Sequence, residues 1–482
     1  MTSPHLPGPA PRPTPAPTAP SAPRDSASPV PTARRDSGSP AAAPPPTSDA
    51  ATDPATATAL FAPWSPAFVQ DPYPAYAALR AAGRAHRFDP TDQWLVPHHD
   101  DVSALLRDRR LGRTYLHRFT HEEFGRTPPP PEHEPFTTLN GNGMLDLEAP
   151  VHTRIRRLVA KAFTPRMVDD LAPTVHRLAA ELIAGLRADG GGDLLARVAE
   201  PLPVAVIAEM LGVPPADRGL LRPWSSAITG MFELNPSEET ARRAVRASEE
   251  FSAYLRDLIA TRRRAPGGDL ISALIAAHDD GDVLSEQEMV STCVLLLNAG
   301  HEATVNSTTL GWLQLFRHPD QLRLLGEAVR GASTGPGAST GTGTGTGGSA
   351  GDDLLRGAVE EMLRYDTPLQ LFERWVLDDI EIGGTTIPRG SEVALLFGSA
   401  NRDPARFTDP DRFDITRPAA ANKHVTFGAG IHFCLGAPLA RLELAASFGA
   451  FLRDAPGMRL VEEPAWRPGY VIRGPEELLV TW

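Results

Sequence analysis

The chain has 482 residues, 41% of them hydrophobic, enough for one large buried core or for two or three average domains. Its formal net charge of −12 argues against a nucleic-acid binder. Two cysteines, Cys293 and Cys434, exclude a disulfide framework, and no apolar run reaches the roughly 18–20 residues of a membrane span, so a soluble, cytoplasmic protein is expected.

Residues 1–55 are mostly Pro, Ala, Ser and Thr. Such a stretch cannot bury enough apolar surface to offset its ordering entropy, so a disordered tail is expected, with the folded domain over 56–482. Arg34 and Arg35 are not followed by the apolar run of an export signal. The segment 71–83 reads as a turn and a helix, and 86–108 as two short strands and a helix. Residues 112–143, with four successive prolines at 128–131, read as loop. From Pro150 to about Ala265 several amphipathic helices follow, broken near Pro214 and Pro236.

Residues 284–319 carry the strongest helical signal. Ser285 and Glu288 form a capping box at its start and Pro319 marks its end. At ~1.5 Å per residue it is about 50 Å long, enough to cross a whole domain. Asn298, Gly300, His301, Glu302, Thr304 and Asn306 interrupt its apolar run. Buried polar groups cost several kcal/mol unless partnered, so the cluster points to a polar cavity beside the helix. Exposure of His301, Glu302 and Asn306 through a gap to solvent is equally compatible with helix geometry.

Residues 331–351 read as a flexible Gly/Thr insert. Its GTGTGG run at 343–348 fits G-x-G-x-x-G, but no strand precedes it, and a linker is the better reading. Residues 352–368 read as a shorter helix capped by Asp352 or Asp353, with Glu361 and Arg364 at i and i+3 on one face. Strands are expected over 375–397, a final helix after Cys434, and a hairpin over 469–482. Helix dominates, so the fold class is mainly α with a minor β part.

The run FGAGIHFCLG at 427–436 sets one of the two cysteines in a glycine-rich loop before a helix. Gly428, Gly430 and Gly436 let the backbone wrap closely around the sulfur, and a helix N-terminus behind it favours negative charge. Pro438 is tolerated in the first helical turn. This is suited to a thiolate on a metal. Phe427, Gly428, Gly430, His432, Cys434 and Gly436 resemble the haem-binding signature F-G-x-G-x-H-x-C-x-G of the cytochrome P-450 family. The resemblance runs from about Phe61 to Trp482, leaving out the insert. It implies the cytochrome P-450 fold, a long central helix over haem b, and Cys434 as the axial ligand of the iron.

By the same resemblance, Glu361 and Arg364 match the E-x-x-R pair that buttresses the haem pocket, with Arg412 or Arg417 as third member. His152 and Arg156, at i and i+4, together with Arg374 and His424, match positions that bind haem propionates. The stretch 299–304 matches A-G-x-D/E-T, placing Ala299 and Gly300 against the cofactor and Glu302 as an acidic relay. Ala303 stands where the family expects Thr, and Thr304 follows about 100° further around the helix. A substrate hydroxyl and ordered water are therefore expected to complete the proton relay. Cys293 is expected to be structural. Substrate-facing residues are expected from 112–140, from Trp224 to Leu234, from 369–372 and near Val471. The implied activity is O2-dependent hydroxylation of a C–H bond in a small organic molecule, a secondary metabolite such as a polyketide. No flavin or iron–sulfur motif is present, so the resemblance implies a ferredoxin and a ferredoxin reductase using NAD(P)H, docking through arginines such as Arg441. Epoxidation or oxidative coupling, or a haem-binding protein without turnover, are the rival readings.

Overall fold

A computed structural model describes residues 54–332 and 349–482. The expected tail lies outside the described residues except for its last two positions, where a helix Pro54–Leu60 begins. The GTGTGG run also lies outside them, whereas helices already occupy the insert's expected ends at 331–332 and 350–351.

Five helices build the site: α1 (Val151–Ala162), α2 (Leu221–Thr229), α3 (Glu286–Arg317), α4 (Ala350–Tyr365) and α5 (Ala437–Asp454). The central α3 begins with the expected capping box. Ser285 Oγ accepts the Glu288 N–H at 3.2 Å, and the Glu288 carboxylate accepts the Ser285 N–H at 2.9 Å. Val290, Cys293, Leu297, Val305, Leu310 and Trp312 are buried on different sides of α3, as suits a helix running through a core rather than along a surface. Gly311 allows three helices to meet. A Cβ there would lie 2.6 Å from the Phe448 ring of α5 and 3.0 Å from Met362 Sδ of α4. Gly300 likewise admits Ile207, whose Cδ1 would lie 2.7 Å from an added Cβ. Its glycine therefore answers to packing against the helix Pro201–Leu211.

Strands β1 (His86–Phe88), β2 (Gln93–Val96), β3 (Leu111–Gly112), β4 (Leu371–Val376) and β5 (Glu392–Leu396) form one sheet in the order β1-β2-β5-β4-β3. Only the β2–β5 pairing is parallel. The register sets Arg374 opposite Val393 and Glu373 opposite Ala394.

Three local expectations are corrected. Ser349, not Asp352 or Asp353, caps α4; its Oγ accepts the Asp352 N–H, and Asp352 returns a bond to the Ser349 N–H, both at 3.2 Å. Within 112–143 a helix forms over Glu134–Gly141, with Pro135 in its first turn, where its missing N–H costs nothing. Residues 469–482 do not fold as their own hairpin. Leu479–Thr481 instead pairs with Gly191–Asp193 and with Arg459–Leu460, while Ile472 bridges to Leu369. No helix among the described residues is long and apolar enough to cross a membrane.

Candidate active site

The loop before α5 is drawn tight by a 2.9 Å bond from the Cys434 N–H to the Phe427 carbonyl. Gly428 and Gly430 hold φ of 68° and 70°, a region that disfavours side chains. A Cβ on Gly430 would also sit 2.5 Å from the Leu106 carbonyl oxygen. The N–H groups of Gly436 and Ala437 are directed at the Cys434 sulfur. Burial pushes the thiol up, and those two groups and the Arg156 guanidinium oppose it.

Glu361 and Arg364 are both fully buried and joined by two 2.8 Å bonds. Arg417 Nε donates to Glu361 Oε2 at 3.2 Å, whereas the Arg412 side chain is 65% exposed, so Arg417 is the third member. The pair reaches the cysteine loop through Asn401. Arg364 Nη1 donates to the Asn401 carbonyl at 2.9 Å, and Asn401 Oδ1 accepts the Val425 N–H at 2.8 Å.

On the sheet side, β4 sends Phe372 and Arg374 to the same face. The guanidinium carbon of Arg113 lies 4.5 Å from the Phe372 ring centroid and that of Arg374 4.7 Å. Arg374 is 3% exposed and its Nη2 has no partner; burial, with Arg113 adding to it, lowers its pKa to about 9. His152 is 1% exposed, and neither ring nitrogen has a partner. Burial, then His432 and Arg156, lower it to about 4. The His152 and His432 ring centroids are 4.5 Å apart, and His432 Nε2 lies 3.2 Å from Glu148 Oε1. Arg156 Nη2 donates to the Phe433 carbonyl at 2.6 Å. His424 is not left with the unpaired donors. Its Nε2 lies 3.2 Å from Glu360, and its Nδ1 accepts the Thr426 N–H.

The middle of α3 is incompletely covered by protein. Ala299 is exposed, and Leu295, Leu296, Gly300 and Ala303 are half-buried, in a helix otherwise largely buried. These residues recur at three- and four-residue intervals and so form one stripe. Thr304 is 5% exposed and turned into the core. Glu302 Oε1 accepts the Ser226 hydroxyl of α2 at 2.9 Å, and Glu302 Oε2 lies 3.7 Å from Arg467 Nη1. Arg467 Nη2 donates to Asn306 Oδ1, and Asn306 Nδ2 to the Glu302 carbonyl at 2.8 Å. The segments 369–372 and 471 meet, the Gln370 N–H bonding the Val471 carbonyl at 2.9 Å. Trp224 turns away from α3; it stacks on Phe251 at 5.0 Å and donates to Glu250.

Unpaired buried donors cost about 1–3 kcal/mol each. A porphyrin carrying two carboxylates and an iron fits this donor set: a sulfur backed by N–H groups, a buried guanidinium with Nη2 unpaired, a buried imidazole with neither nitrogen paired, and the small side chains of Ala299, Gly300 and Ala303 within the stripe. The model of the family described as cytochrome P-450 matches residues 230–454. The cytochrome P-450 monooxygenase PikC of Streptomyces venezuelae is 40% identical over 425 residues, covering 86% of this chain and 92% of the relative.

The chain belongs to the cytochrome P-450 family.

As a cytochrome P-450 monooxygenase it binds haem b, takes electrons from redox partners and oxidises a small-molecule substrate. It is also 38% identical to a mycinamicin IV hydroxylase/epoxidase of Micromonospora griseorubida, over 81% of this chain and 90% of the relative. The solved structure of the bacillaene polyketide synthase cytochrome P-450 PksS of Bacillus subtilis 168 superposes with a TM-score of 0.75 at 33% identity, covering 87% of this chain and 99% of that one.

Ser226, Arg467, Glu148 and Asn401 were not readable as site residues. Each meets its partner across a long stretch of chain, and none stands in a local pattern.

Proposed function

We propose that this cytochrome P-450 hydroxylates a C–H bond of a polyketide-type secondary metabolite, with Cys434 as the residue that would hold the haem iron. The observation that carries the reading is the Cys434 sulfur at the start of α5, with the N–H groups of Gly436 and Ala437 directed at it. Bound haem supplies the activation of O2 and the oxidation of the C–H bond. Cys434 would hold the iron through its sulfur and, as a thiolate, would donate electron density to it.

The chain's own groups bind, orient and move protons. His152 and Arg374 give their unpaired N–H groups to the propionates, and Arg156 steadies the loop through the Phe433 carbonyl. Phe427, Gly428, His432 and Gly436 shape the loop. Ala299 would leave room for the macrocycle, Gly300 lies in the same stripe with its missing side chain given over to Ile207, and Glu361 with Arg364 anchors the loop through Asn401. Glu302 holds a proton at its carboxylate. Ala303 has no hydroxyl to offer, so a substrate hydroxyl and ordered water complete the relay, while Thr304 takes no part in it.

The polyketide assignment is supported by the names of PksS and of the mycinamicin IV enzyme. The latter name carries both hydroxylation and epoxidation, which keeps epoxidation as the second reading. The donor in this reading is a ferredoxin with its NAD(P)H-dependent reductase, in the cytoplasm. Ile431 and Phe433, 47% and 43% exposed beside the cysteine, supply an apolar docking centre, with exposed Arg107 next to Gly430. Arg441 is engaged by Glu360 at 2.6 and 2.9 Å, which leaves it a weaker docking cation than the sequence implied. The test is a screen of polyketide lactones for a spin-state shift of the haem spectrum, followed by mass spectrometry. A product heavier by one oxygen at a former C–H carbon is expected. Binding without oxygen incorporation overturns the reading.

A further inference from the structure

We propose that Ser226 is a positioning residue for Glu302 and the point at which protons enter from solvent. The inference rests on the reading of Glu302 as the acidic relay.

Glu302 is held from three sides. Ser226 Oγ donates to Oε1 at 2.9 Å, Arg467 faces Oε2 at 3.7 Å, and Asn306 ties the Glu302 carbonyl at 2.8 Å while accepting from Arg467. The carboxylate side chain is only 12% exposed, whereas Ser226 is exposed on α2. Ser226 therefore spans the step from water to a buried carboxylate. The neighbouring route is closed. His301 Nδ1 lies 3.3 Å from Ser225 Oγ and 3.8 Å from Glu302 Oε1, but Ser225 is 0% exposed and His301 1% exposed, so neither meets solvent, and burial pushes the imidazole's pKa down. Arg222 and Glu200 pair with each other at 2.5 Å, and neither is bonded to Glu302. With alanine at 303, Ser226 is the hydroxyl in contact with the relay carboxylate.

Each passage moves one proton. Hydronium at the solvent side gives its proton to Ser226 Oγ and becomes water, as the original Oγ–H proton passes to the Glu302 carboxylate. The resulting acid releases its proton into the pocket and returns to the carboxylate form. The hydroxyl is regenerated, and no electron changes place.

The test uses the haem-loaded enzyme with a plant-type ferredoxin and its reductase. Glu302→Gln identifies the Glu302 carboxylate stretch by infrared difference. Ser226→Ala is expected to shift that band, to slow NADPH consumption roughly tenfold or more, and to raise the solvent deuterium isotope effect. Ser226→Thr, which restores a hydroxyl, is expected to recover all three. If Glu302→Gln slows consumption but Ser226→Ala neither shifts the band nor slows it, the proposal is overturned and the reading of Glu302 stands. If neither variant slows consumption, that reading falls with it.

Discussion

The Glu233 carboxylate accepts the backbone N–H of Tyr470 at 2.8 Å, and its two oxygens go on to take those of Val471 and Ile472 at 3.0 Å. One side chain just beyond α2 thus fixes the turn that meets Leu369 and Gln370. Burial pushes this carboxyl up, and the three N–H bonds work against that. Glu233→Ala leaves those donors without their acceptor, at about 1–3 kcal/mol for each one that stays buried. Hydrogen exchange at 470–472 is expected to accelerate, and substrate affinity from spin-state titration to weaken, while the Soret position of the resting enzyme holds.

Cys434→Ser removes the sulfur proposed to hold the iron. The reduced CO complex of this variant is expected to lose its red-shifted Soret band. Arg374→Ala and His152→Ala keep the sulfur but each remove a charge-assisted bond worth about 1.5–3 kcal/mol, so haem affinity is expected to fall about ten- to hundredfold. Retention of that affinity in both variants contradicts their assignment to the propionates.

Glu361 and Arg364 form a pair with no access to water. Removing one partner of such a pair typically costs about 3–5 kcal/mol. Glu361→Gln is expected to lower the urea midpoint and the haem bound per chain. Arg412→Ala, whose side chain is mostly exposed, is expected to change neither.

Glu443 on α5 is 2% exposed, and burial raises its pKa from 4.5 to about 8. Between those values the folded chain binds more protons at this site than the unfolded chain, so its contribution to stability falls as pH rises from about 4.5 to 8. Ser447, one turn further on, is buried there and its hydroxyl also lacks a partner. Denaturation at pH 5 and pH 8.5 is expected to show Glu443→Gln gaining on the wild type at the higher pH. Parallel curves contradict the assignment.

Ala303→Thr returns a hydroxyl to the half-buried stripe of α3. Product formed per NADPH is expected to change several-fold, most for substrates without a hydroxyl near the oxidised carbon. Unchanged coupling, with normal turnover of such substrates, defeats the substrate-assisted relay.

The central helix was legible from its capping box and its spacing, whereas the cysteine loop and the Glu361–Arg364 pair were legible through their resemblance to cytochrome P-450 motifs, each written within a few neighbouring residues. Choosing Arg417 over Arg412 needed the fold, since both lie in one irregular stretch and only their directions differ. Ser349 was hidden at the end of a glycine-rich run that reads as linker, although its capping chemistry is ordinary. The expected terminal hairpin failed because Leu479–Thr481 finds its partners at 191–193 and 459–460, and alternation in a strand carries no information about what it pairs with.

β4 and the residues just before it serve two ends of the molecule. Phe372 and Arg374 lie against the cationic cradle, while Leu369 and Gln370 meet the 471–472 turn. Substitutions made at 369–372 for selectivity are therefore expected also to shift the midpoint potential of the bound haem. Libraries at these positions should be sorted by redox titration before they are ranked by product.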